Sequence, residues 1–346
     1  MKNNAAFMSG TNNMIYKEIP VPEIAPHEVL VKVDVVGICG SDVHYYEHGN
    51  IGDFVVKGDF ILGHECAGFV EAVGSDVKSL KPGDRVALEP GVVCGKCEQC
   101  LSGKYNLCEH VEFFATPPYH GVFANYVKHP ENLCFKLPEN VSNMEGALVE
   151  PLAVGLHAAA QGDVKLGDTV IVFGSGCIGL VSLLASKARG ASKVIVVDII
   201  EKRLEFAKKL GADYVINAKA ENVIEKVAEL TGGKGAHVVI ETAGSPITIG
   251  QTADVVKTGG TVVLVGMSVK AESSYDFMKL MGKEGTIKTI FRYRNLYPVA
   301  INAISSGTID VKSIVTHEFE FDEIKHAFDY VSENAVDVVK AVVKIK

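Results

Sequence analysis

At 346 residues, 47% of them hydrophobic, the chain has material for two buried cores and is read as a two-domain protein. A formal charge of −8 with no block of Lys and Arg argues against a nucleic-acid partner, whose phosphates require a concentrated basic face. No window approaches about eighteen consecutive apolar residues, and MKNNAAFMSGTNN lacks a charged start followed by the apolar run and small-residue cleavage site of a secretory signal; no membrane partner is expected, and the chain is read as cytoplasmic.

Residues 1–150 carry short β-rich pieces, EVLVKVDVVG and AGFVEAVG among them, separated by turns such as KPGD and LPEN, which predicts an irregular, mostly antiparallel domain. Within it lie GICGSDVHYYEHG and ILGHECAG, followed later by LVEPLAVGLHA. Cys39, His64, Glu65 and Glu150 offer one sulfur, one nitrogen and carboxylate oxygens, a set that binds zinc and leaves a coordination position open for water or substrate. Singly, each has a plainer role: a buried thiol, a polar turn, an acid at a helix N-terminus. The combination is what points to a catalytic metal. Ser41 and His44 follow Cys39 closely, a hydroxyl beside the metal and an imidazole behind it, as a proton path outward requires.

Next comes LEPGVVCGKCEQCLSGKYNLCEH, which holds four of the chain's eight cysteines. Such clustering reads as metal ligation in a reducing compartment rather than a disulfide framework. Cys94, Cys97, Cys100 and Cys108 can close a tetrahedron around a structural zinc, with no position left for substrate. An iron–sulfur cluster is the competing reading, but the bacterial ferredoxin run ends differently, with Pro after its fourth cysteine where Glu109 stands here. Cys66, Cys134 and Cys177 are expected to be buried thiols.

From residue 169 the pattern changes to the apolar runs TVIVF, KVIVVD, DYVI, HVVIE, TVVLV and TIKTIF with helix-like segments between most of them, which predicts an α/β fold, a doubly wound parallel sheet. Gly174, Gly176 and Gly179 follow the first strand and open a helix, so that the first allows a tight turn, the second admits a pyrophosphate and the third lets helix pack on strand. Ile178 would lie against the dinucleotide. Asp198, ending the second strand, is placed to hold ribose hydroxyls and to repel a 2′-phosphate, which favours NAD over NADP. Arg203 either flanks the adenine or is a helix-surface charge. Gly266, Met267 and Ser268 leave the fifth strand at the end where such sheets bind ligands, and Phe291, leaving the sixth, is assigned to the cofactor with them. YPVAINAISSG reads as a helix; the strand-like VTHEFEF and KAVVKIK have no place in a six-stranded sheet and are returned to the first domain. The expected domains are thus 1–152 with 292–346, and 153–291.

Taken together, GICGSDVHYYEHGNIGDFVVK, LGHE, FFATPPYHG, EGALVEPLAVGLHA, FRYRN and VTHEFEF resemble the zinc-dependent medium-chain dehydrogenase/reductase superfamily, and within it the sorbitol dehydrogenases, over essentially the whole chain. The complete four-cysteine segment, which animal sorbitol dehydrogenases lack, places the chain nearer the microbial polyol dehydrogenases. The resemblance implies a GroES-like catalytic domain, a Rossmann domain, two zinc ions per chain and a homotetramer. It implies that Cys39, His64 and Glu65 bind the catalytic zinc, with Glu150 a ligand or in contact through water. It makes Tyr45, Arg292 and Tyr293 polyol contacts and Phe113 an apolar wall. The expected reaction is reversible oxidation of a polyol to a ketose with hydride transfer to NAD; threonine 3-dehydrogenase, butanediol dehydrogenase and polyol-phosphate dehydrogenase are sister activities on the same scaffold.

Overall fold

The run EVLVKVDVVGI forms the strand Glu28–Ile38, in which Val29, Leu30, Val31, Val33, Val35, Val36 and Ile38 are all buried. A strand so apolar belongs in the middle of a sheet, and this one pairs antiparallel with Glu65–Val73, Lys340–Lys344 and Tyr126–Pro130. The sheet has seven strands: Cys134–Lys136, Arg85–Leu88, Glu65–Val73, Glu28–Ile38, Lys340–Lys344 and Val315–Glu320 in that order, with Tyr126–Pro130 beside Glu28–Ile38. Val315–Glu320 and Lys340–Lys344 run parallel, an exception to the antiparallel expectation. The helix Ile324–Glu333 supplies the crossover that a parallel pair requires.

The structure, a computed structural model, describes residues 1–268 and 272–345. It divides into two units, Met1–Glu150 with Tyr297–Lys346, and Pro151–Leu296. The first unit resumes at Tyr297 rather than at residue 292, because FRYRNL forms neither helix nor strand. Tyr297 opens the helix Tyr297–Ser305 and is tied to the first unit by its hydroxyl, which donates to Leu88 O at 2.8 Å, and by its ring, 5.1 Å from that of Phe135.

In the second unit six parallel strands lie in the order Tyr214–Asn217, Lys193–Asp198, Thr169–Phe173, Ala236–Glu241, Val256–Leu264 and Thr286–Thr289. The order reverses between Thr169–Phe173 and Ala236–Glu241, which opens a crevice at their carboxyl ends. The fifth strand starts at Val256, five residues before the expected TVVLV, and the sixth stops at Thr289, leaving Phe291 and Arg292 in the loop beyond. Among the described residues, no helix is long and apolar enough to cross a membrane.

Candidate metal centres and nucleotide loop

Cys39 stands between the central strand and the helix Gly40–His48, and His64 and Glu65 lie where the neighbouring strand begins. One donor atom of each falls within 4.8 Å of the others. The approach is close because residue 37 is glycine; a Cβ there would sit 2.0 Å from Glu65 Oε2. Sulfur, imidazole nitrogen and carboxylate oxygen, two of the three residues buried, suit zinc with a position left open.

Two residues that the sequence reading passed over hold these donors. Asp42 is buried; its Oδ2 accepts from Cys39 N at 3.0 Å, its Oδ1 from Gly63 N at 2.9 Å, and Oδ1 lies 3.5 Å from His64 Nδ1. Burial pushes the Asp42 carboxyl up, but His64 and the two N–H donors outweigh it and hold it below the usual carboxylate range. Burial likewise disfavours charge on His64, whose pKa is nevertheless raised well above the usual value by Asp42 and Cys39. A carboxylate on one ring nitrogen orients the other towards a metal. Lys340, also buried, donates to both Glu65 oxygens at 2.7 and 2.8 Å and to Ile38 O at 3.0 Å. A lysine among the valines of KAVVK was the available signal, since a buried ammonium needs a carboxylate.

Around this group, Ser41 and His44 lie on the Gly40–His48 helix, partly exposed, and Tyr45 on its buried side packs 6.5 Å from Phe60. Phe113 is buried with its ring 5.9 Å from that of His64. Glu150, buried in the first turn of the helix Val149–Gln161, stands outside the 4.8 Å group.

Cys94, Cys97, Cys100 and Cys108 form the second group within the same limit. Four sulfurs at about 2.3 Å from a tetrahedral ion lie roughly 3.8 Å apart, and Cys94 Sγ is 4.0 Å from Cys100 Sγ. Backbone N–H groups face the sulfurs, Cys97 N on Cys94 Sγ and Cys94 N and His110 N on Cys108 Sγ, each at 3.4 Å. N–H donation from Lys96 and Cys97 lowers Cys94 to about 6, so a thiolate is available there.

In the second unit, Gly174 has φ 92°, and a Cβ on it would come 2.8 Å from Thr242 Oγ1. A Cβ on Gly179 would lie 1.9 Å from Gly174 O, whereas beside Gly176 the nearest heavy atom is Arg203 Nη1 at 3.9 Å. The loop is therefore tight at its ends and open in the middle, as a pyrophosphate needs. Ile178 lies in the first turn of the helix Cys177–Ala188. Cys177, expected to be buried, is its half-buried first residue, because the loop turns it outward. Asp198 joins this loop, Oδ2 accepting from Ser175 N and Oγ at 2.7 and 2.9 Å and Oδ1 from Ile199 N and Ile200 N. Gly266, Met267 and Ser268 follow the fifth strand, with Met267 exposed. Phe291 is half exposed and stacks under the Arg292 guanidinium at 4.7 Å; Arg292 has φ 56°, and Tyr293 is buried.

Residues 25–139 match the family model for the alcohol dehydrogenase GroES-like domain, and residues 177–306 that for zinc-binding dehydrogenases. Over its full length the chain is 50% identical to the uncharacterized zinc-type alcohol dehydrogenase-like protein YdjJ of Escherichia coli K12, covering 99% of it. It is 44% identical to sorbitol dehydrogenase of Bacillus subtilis 168, over 94% of this chain and 92% of that one. A crystal structure of an Escherichia coli oxidoreductase/dehydrogenase of unknown specificity superposes with a TM-score of 0.97, at 48% identity and with both chains fully covered.

Proposed function

Since the chain belongs to the zinc-dependent medium-chain dehydrogenase superfamily, on its sorbitol dehydrogenase-like branch, we propose that it oxidises a secondary alcohol of a polyol such as sorbitol or xylitol to a ketose, reversibly and with NAD. The observation that carries the reading is the compact sulfur, nitrogen and oxygen group of Cys39, His64 and Glu65, a donor set suited to open-site chemistry. Zinc held by these residues, with Glu150 a ligand or in contact through water, supplies Lewis acidity, and NAD supplies the hydride acceptor.

The chain's own residues do the rest. Asp42 fixes the ring of His64, and Lys340 balances the charge of Glu65. Ser41 Oγ accepts the alcohol proton as it gives its own to His44, which passes a proton outward. Tyr45, Arg292 and Tyr293 offer hydrogen-bonding groups to the polyol's remaining hydroxyls, and Phe113 gives an apolar wall. Gly174, Gly176, Ile178 and Gly179 hold the dinucleotide, Asp198 its ribose, Arg203 the adenine side, and Gly266, Met267, Ser268 and Phe291 the nicotinamide half. A second zinc on Cys94, Cys97, Cys100 and Cys108 is structural. The reading includes a homotetramer working in the cytoplasm.

A panel of sorbitol, xylitol, ribitol, iditol, galactitol, butanediol, threonine and polyol phosphates, each with NAD and with NADP, tests the proposal. Fastest turnover of a free polyol with NAD is the expected result. Turnover confined to butanediol, threonine or a phosphorylated polyol would replace the substrate reading, and preference for NADP would overturn the role given to Asp198.

A further inference from the structure

We propose that His44 and His48 form a separate, reversible site for a borderline divalent cation such as Zn²⁺, Ni²⁺ or Cu²⁺, and that its occupation inhibits the enzyme. The inhibitory half of this rests on the relay role of His44 proposed above; the binding half rests on geometry alone.

The two imidazoles stand one helical turn apart on the Gly40–His48 helix, with ring centroids 4.6 Å from each other. Two histidines at i and i+4 on one helix face are the pair with which an H-E-x-x-H helix grips zinc. Glu47 adds a carboxylate, its Oε2 3.6 Å from His48 Nε2. His48 is exposed and His44 partly so, which leaves water to complete the coordination.

The helix that presents them is pinned at both ends. At its start Asp42 accepts from Cys39 N and Gly63 N. Towards its end Tyr46 Oη donates to Asp329 at 2.6 Å, Ser332 bonds to Glu47, and Gly49 closes the helix with φ 78°. The backbone under the two rings is therefore fixed in advance, and the adjustment by which both face one ion falls on the side chains. Two nitrogen ligands without a thiolate give weaker binding than either cysteine group, ranked Cu²⁺ above Ni²⁺ and Zn²⁺. An ion on His44 occupies the lone pair that must receive the proton from Ser41.

The test titrates Ni²⁺ into the zinc-loaded enzyme, following heat of binding and turnover together, for the wild type and for His48→Ala. The wild type is expected to bind about one further ion per chain and to lose activity in parallel. His48→Ala should keep the basal activity and need at least about tenfold higher Ni²⁺ for both effects, since losing a direct ligand costs no less than losing an outer-shell partner. Absence of a further ion, or identical curves for the two proteins, would overturn the site. Binding that His48→Ala abolishes but that leaves wild-type turnover untouched would overturn the inhibition and the relay role of His44. Calorimetry reads the site even if the polyol panel fails, so the two failures are distinct.

Discussion

Lys340 and Glu65 show what one pair of residues contributes. Both are buried, and an ammonium so placed is tolerated because a carboxylate meets it. Removing one partner of such a pair typically costs about 3–5 kcal/mol, because the other is left as an uncompensated buried charge. A metal at Cys39, His64 and Glu65 would provide that compensation in place of the lysine. Lys340→Met is therefore expected to unfold at a much lower temperature than the wild type after chelation, and to recover a good part of the difference when zinc is restored. Thermal unfolding with and without chelator reads this; an equal deficit in both conditions would show that Glu65 does not face the metal. That Cys39, His64 and Glu65 come together was legible in the sequence only as a combination of residue types, whereas Glu150, read with them, lies outside the 4.8 Å group. Lys340 was not, since its partner lies 275 positions away and only strand pairing brings the two together. Asp42 was hidden differently, inside the polar run GSDVHYYEH, whose lack of an apolar period also concealed the helix it anchors.

At the scale of elements, the segment Cys94–Cys108 has almost no core to hold it. Its helix Glu98–Leu101 buries no residue, and Leu101 and Leu107 are exposed. Tyr105 Oη on the buried Glu89, at 2.7 Å, ties the lobe to the body. Its shape then depends on the four sulfurs and what they bind. Cys97→Ser should lower the unfolding temperature and solubility while sparing turnover per folded molecule; loss of turnover at unchanged stability would refute a bracing role. The loops at the carboxyl ends of the parallel strands are held by contrast through direct backbone contact. A Cβ on Gly266 would lie 2.3 Å from Gly244 N, and one on Gly174 would press on Thr242. Glu241 keeps the middle loop in place, its carboxylate accepting from Ala243 N, Gly244 N and Thr248 Oγ1. Gly266→Ala has to displace backbone rather than a side chain, so it should weaken NADH binding by at least about tenfold with the fold retained, as quenching of NADH fluorescence would report. Unchanged affinity would remove this loop from the cofactor site. The parallel strands were readable from apolar runs of the right length, but the start of Val256–Leu264 was not, because KTGG looks like a turn and forms the irregularity between the pairs Ala236–Val256 and Val238–Thr261.

For the whole molecule, the sequence assigned VTHEFEF and KAVVKIK to the amino-terminal region by exclusion, and their strands do pair into the seven-stranded sheet. What a single chain's pattern carries less clearly is association. The strand Thr286–Thr289 is an edge of the six-stranded sheet, and a free edge presents unpaired backbone groups unless something covers it. Just before it, the short helix Phe277–Gly282 leaves Phe277, Met278 and Met281 at 61%, 76% and 70% exposure. Exposed large apolar side chains and sheet edges are both what a contact between identical subunits uses, since a twofold axis sets an edge or an apolar patch against its own copy. Light scattering should therefore give a multiple of the 37.0 kDa chain mass. Met278→Asp combined with Met281→Asp places two charges on the patch, and the mass should fall while each chain stays folded. A wild-type mass equal to one chain would overturn the homotetramer, and an unchanged mass in the double variant would move the contact to another surface.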